Sequence, residues 1–134
     1  MQSINLVRSL FLTNNYQFIF METLKEIAIK YFYFFSNKNI YELEKMFTPE
    51  IELRDWNFHA SGLKEVIKIN KKIFTNCPKL LVNPINLWES TNAKEQIIFA
   101  DLEIDTGSKE KDVVLDLLFF KNNKINKIIA YKGN

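Results

Sequence analysis

The chain has 134 residues, 47% apolar and 25% charged, the proportions of a single globular domain and not of a disordered or fibrous chain. Its 18 basic and 16 acidic residues leave a net charge of +2, too balanced for a nucleic-acid-binding surface. Cys77 and His59 are the only residues of their kinds, which excludes an intramolecular disulfide, a Cys-rich zinc site and multi-histidine metal sites.

Residues 1–20 hold short apolar patches, Leu10-Phe11-Leu12 and Phe18-Ile19-Phe20, split by Asn14-Asn15. These are too short for a membrane span, and they lack the cleavage site of a signal peptide. The stretch reads as an appendage outside the core fold, either an extra helix or arm, or an upstream extension with Met21 as the true start. The domain pattern runs over 21–134. From Met21 to Ser36, Leu24, Ile27, Ala28, Tyr31, Phe34 and Phe35 recur at helical spacing, with Glu22, Lys25, Glu26 and Lys30 opposite them. A short second helix follows, with Asn39 as its N-cap and Ile40, Leu43, Met46 and Phe47 as its apolar side, and Thr48-Pro49 stops it. Ile51 to Asp55 alternates as a strand, Trp56 to Ser61 reads as a loop, and Ser61-Gly62 opens a third helix to about Phe74. The apolar stripe of that helix contains one polar residue, Asn70.

Four strand-like segments complete the chain: Leu80 to Glu89, Glu95 to Asp105, Asp112 to Lys121 and Lys124 to Tyr131. Short breaks at Ser90-Thr91-Asn92, Thr106-Gly107-Ser108 and Asn122-Asn123 predict consecutive hairpins. Pro84 predicts an edge position or a bulge in the first of them. The fold class is α+β: a curved antiparallel sheet of one short and four long strands, its concave side covered by three helices. The 12 Phe residues suit a layered core or an apolar cavity. The acids Asp101, Glu103 and Asp105, alternating with apolar residues, read as a solvated strand face.

This order of elements resembles the nuclear-transport-factor-2-like superfamily, and within it the SnoaL-like branch, a cone-like, cystatin-like α+β architecture. The residues that carry the resemblance are Phe34-Phe35-Ser36, Leu43 to Phe47, Ile51 to Trp56, Gly62, the run Val114 to Phe120, and Ala130-Tyr131-Lys132-Gly133. The resemblance implies a homodimer formed through the sheet and a pocket for a small apolar or carbonyl-bearing molecule. For members that are enzymes it implies metal-independent isomerase or lyase chemistry of the ketosteroid-isomerase or polyketide-cyclase type. A cavity acid or histidine then moves a proton beside a carbonyl, while a Tyr or a protonated acid holds the oxyanion.

The candidate residues follow from the pattern. Asp116 interrupts the apolar run Val113 to Phe120 and shares a face with Val114, Leu118 and Phe120, so it is either a proton-transfer base in a cavity or a solvated acid on the outer face. Asp55 ends the first strand as a base or as a structural cap. Trp56 beside it stacks on a ligand or fills the core. His59, four residues after Asp55, is an acid or base near neutral pH or a solvated loop residue. Asn70 binds a ligand or nearby backbone. Tyr31, Trp88 and Tyr131 pair an apolar ring with a polar tip, suited to a pocket wall, an oxyanion donor or core packing. Two functions stay open: a small-molecule proton-transfer enzyme, and a non-catalytic dimeric module for ligand binding or interaction. No Gly-rich phosphate loop, Walker motif or metal-ligand cluster is present, so no cofactor or metal is expected. A cytoplasmic location is expected from the lone cysteine, without contact to nucleic acid or membrane.

Overall fold

The computed structural model describes residues 22–92 and 94–133. The appendage read over 1–20 lies outside the described residues. Helix α1 (Leu24–Ser36) starts where Thr23 and Glu26 close a reciprocal capping box: the Glu26 N–H donates to Thr23 Oγ1 at 3.1 Å, and the Thr23 N–H donates to Glu26 Oε1 at 3.3 Å. Helix α2 (Ile40–Met46) is capped as predicted, the Glu42 N–H donating to Asn39 Oδ1 at 3.2 Å.

Helix α2 ends before Thr48-Pro49 as predicted, but strand β1 (Phe47–Arg54) follows without a loop, so Phe47, read as the last apolar residue of the helix, is the first of the strand. Phe47 pairs with Ile125 and Glu52 with Lys127, and the register shifts between them. Pro49 falls in this irregularity, where no ladder needs its missing N–H. Buried Thr48 donates to Asn126 Oδ1 at 2.7 Å.

A second correction concerns the predicted loop Trp56 to Ser61. Its second half is a short strand, β2 (His59–Ser61), antiparallel to β1 in the register Arg54↔His59, Leu53↔Ala60, Glu52↔Ser61. Gly62 then turns the chain into α3 (Leu63–Asn76) at φ +90°. Strands β3 (Leu81–Thr91), β4 (Gln96–Asp105), β5 (Asp112–Lys121) and β6 (Lys124–Lys132) form the predicted meander. Asn122 and Asn123 both take positive φ in the tight β5–β6 turn, as a two-residue hairpin requires. Pro84 lies on the edge strand β3 beside a register shift, so edge and bulge coincide there.

The six strands form one sheet that is not closed, in the order β2-β1-β6-β5-β4-β3. The sheet is mixed: β1 and β6 pair in parallel, which corrects the all-antiparallel expectation. Side-chain alternation reports which face is buried but not strand direction, and direction here follows from the long return through α3 and the meander. One face carries Ile51, Leu53, Ile98, Leu102, Val114 and Leu118, all buried. Helix α1 packs against β3 and β4, α3 against β1 and β2, and α2 bridges the two helices. Among the described residues no helix is long and apolar enough to cross a membrane.

Candidate functional site

The buried polar side chains locate the site. There are three among the described residues: Thr48, Asn70 and Asp116. Thr48 has its partner in Asn126. The other two line a cavity of about 350 Å³ between the helices and the sheet, at the small end of the range typical of small-molecule pockets, roughly 300–1,000 Å³.

Asp116 stands in the middle of β5, 8% exposed, and among the described residues its carboxylate accepts no hydrogen bond. Period-two alternation puts it on the inner face with Val114 and Leu118. Its ladder neighbours are Ala100 on β4 and Ala130 on β6. Two methyl groups cannot fill the space a large residue would occupy, so the carboxylate borders open volume. Burial, and second the negative charge of Asp55, push its pKa up to about 7. Tyr31 of α1, 5% exposed, also lines the cavity. Burial, then Asp116, then Asp55 raise its phenol well above the ordinary range, so it stays a neutral O–H donor.

Asn70 projects from α3 with 3% exposure, and its Nδ2 is buried with no hydrogen-bond partner among the described residues. Asp55 also lines the cavity, but its Oδ1 is engaged, accepting the N–H of Asn57 at 2.7 Å and of Phe58 at 2.6 Å. It holds the β1–β2 turn and lends negative charge to the cavity. Trp56 lines the cavity while 47% exposed, so it stands where the pocket meets solvent and not in the core.

The structure takes the remaining candidates away from the cavity. His59 pairs with Arg54 on the β1–β2 ladder, exposed on the face opposite Leu53 and Ala60. The hairpin that makes it a strand residue also turns it from Asp55. Trp88 and Tyr131 are each 53% exposed. Trp88 faces Phe99 and Tyr131 faces Leu115, which puts both on the outer side of the sheet. Each follows an inward residue by an odd step, and the register shift at Pro84–Asn86 resets the alternation of β3.

Two residues at the cavity were not singled out from sequence. Asp112 and Lys132 line it, with Lys132 Nζ 3.7 Å from Asp112 Oδ2 and 5.8 Å from the Trp56 ring centroid. The available signal was the alternation itself: Asp112 is two steps of period two before Asp116. Lys132 required the β5–β6 register, which pairs it with Val114. Among the described residues no group of three His, Cys, Asp or Glu side chains could hold a metal ion.

The chain has the NTF2-like fold, shared with SnoaL-like and cystatin-like proteins. An NTF2-like protein of unknown function from Cytophaga hutchinsonii superposes with a TM-score of 0.71 at 12% identity, covering 87% of this chain and 95% of that one. A cystatin-like protein of unknown function from Nostoc punctiforme gives 0.66 at 13% identity, over 81% and 87% of the two chains. A proposed isomerase of the SnoaL-like family from Agrobacterium tumefaciens gives 0.64 at 8% identity, over 81% and 96%. The sequence matches no family model and no curated protein. At these identities the likeness is one of fold, and function must be argued from the cavity.

Proposed function

We propose that the domain binds a small, mostly apolar molecule and moves a proton next to a carbonyl group, with Asp116 as the base. The supporting observation is a buried carboxylate, without hydrogen bonds among the described residues, that borders a mostly apolar cavity and is flanked by two alanines. In that setting the carboxylate lacks the solvation that would weaken it as a base at neutral pH. Asp116 removes a proton from the carbon beside the carbonyl, the C–H electron pair becomes the C=C bond, and the carbonyl π electrons move to oxygen. Tyr31 donates its O–H to that oxygen. Return of the proton from Asp116 to the same or a conjugated carbon completes an exchange or an isomerisation. The isomerase assignment of the Agrobacterium relative accords with this class of reaction.

Exchange of the α-protons of 2-tetralone, a bicyclic ketone, tests the reading in D2O by proton NMR. Wild-type protein should accelerate exchange above the buffer rate, and Asp116→Asn should lose at least about 100-fold of that acceleration. Equal exchange by both proteins would remove Asp116 from the reaction.

A second reading has its own observation. The outer face of the sheet carries Trp88, Val113, Leu115 and Tyr131 exposed, with Phe99 and Leu117 half-buried among them. Among the described residues no helix packs on this side, and an apolar face of this kind suits a second copy of the chain. A homodimer through the sheet is compatible with catalysis and also with a purely ligand-binding module.

A further inference from the structure

The ligand of this cavity is constrained by a donor that the proton-transfer scheme does not use. Asn70 Nδ2 is buried and, among the described residues, unpaired, and it sits on a cavity-lining residue of α3. A buried N–H without an acceptor is costly, and an oxygen on a bound molecule would recover that cost. The charges at the cavity are Asp116, Asp55, Asp112 and Lys132, and Lys132 is already paired with Asp112. Among the described residues no buried cation lines the cavity beside Asp116 to receive an anionic ligand. The volume of about 350 Å³ and the rings of Tyr31, Phe32 and Phe35 suit one or two fused rings.

We infer that Asn70 is a specificity-determining residue: its amide N–H binds a neutral oxygen acceptor on a mono- or bicyclic ligand, and the cavity rejects anions. This rests on the pocket of the proposed function but not on the proton transfer. An ammonium ligand is the competing chemistry, because it would pair with Asp116, yet it would leave the Asn70 donor without an acceptor.

Four probes with related bicyclic bodies separate these cases: 2-tetralone (neutral oxygen), tetralin (no oxygen), 2-naphthoate (anion) and 2-aminotetralin (cation). Binding to wild-type protein is followed in nitrogen-15 spectra, where the Asn70 side-chain NH2 signal reports contact directly. 2-Tetralone should bind tightest and shift that signal. Asn70→Leu, which removes the unpaired donor and keeps the branched shape, should weaken 2-tetralone about tenfold and leave tetralin unchanged. The inference is overturned if 2-naphthoate or 2-aminotetralin binds as tightly as the ketone. It is equally overturned if the ketone's advantage over tetralin survives in Asn70→Leu, or if the ketone does not bind. Tight, Asn70-dependent ketone binding without accelerated exchange would leave this inference standing and remove the proton-transfer reading. Accelerated exchange with an unchanged KM in Asn70→Leu would do the reverse.

Discussion

Asp116 costs stability in the form that would make it useful. Its pKa near 7 means that between about pH 4 and 7 the folded chain holds a proton that the unfolded chain has released. Stability contributed by this group therefore falls as pH rises through that window and levels off above it. The difference of about three pKa units corresponds to up to about 4 kcal/mol. Of the other charged groups that line the cavity, Asp55 reinforces the trend, while Asp112 and Lys132 are engaged with each other. Asp116→Asn should flatten the pH dependence and be the more stable protein at pH 8, with a small difference at pH 4. Urea denaturation of both proteins at the two pH values measures this, and a wild type that is as stable as the variant at pH 8 would contradict the burial argument. Under the proposed function, α-proton exchange should rise between about pH 6 and 8, half-maximal near pH 7, since ionisation creates the base.

Among the elements, the β1–β2 hairpin and its exit into α3 decide the geometry of one cavity wall. Asp55 holds the turn through two backbone N–H groups, and Gly62 makes the exit at φ +90°, ψ 149°, a conformation nearly confined to glycine. A Cβ placed there meets nothing within 4 Å, so the cost of replacement is conformational and not steric. Gly62→Ala should therefore destabilise the fold by about 1–3 kcal/mol, read as a shift in the urea midpoint with an unchanged slope. An unchanged midpoint would mean that the connection relaxes freely. Helix α1 needs no such device, because Thr23 and Glu26 satisfy its first N–H groups and its apolar stripe does the rest.

At the scale of the whole molecule, the mixed sheet presents two unlike faces. One meets the helices and encloses the cavity. The other leaves Leu115 and Tyr131 paired across β5 and β6 in solvent, with Trp88 beside Phe99 on β3 and β4. If a second copy covers this face, the wild type sediments as a dimer at micromolar concentration. Leu115→Glu, a charge placed at a half-exposed position, should shift it to monomer without loss of helicity. A monomeric wild type would leave the apolar patch for another partner.

Much of this was legible in the sequence. The helices, the four-strand meander, the Asn39 cap, the Asn122-Asn123 turn and the edge placement of Pro84 follow from local periodicity and turn chemistry, which act within a few residues. Alternation also gave the face that Asp116 shares with Val114 and Leu118. Sequence could not choose between a cavity and solvent on that face, because the choice depends on Ala100 and Ala130, brought beside Asp116 by pairing with other strands. Nor could it see that the loop holding His59 closes into β2 and carries the imidazole outward, or that β1 runs parallel to β6. The sequence by itself determined the three helices, the four strands of the meander and which residues share a face. Tertiary structure alone decided which polar groups stand unpaired around one volume, since strand register and helix docking join residues far apart in the chain.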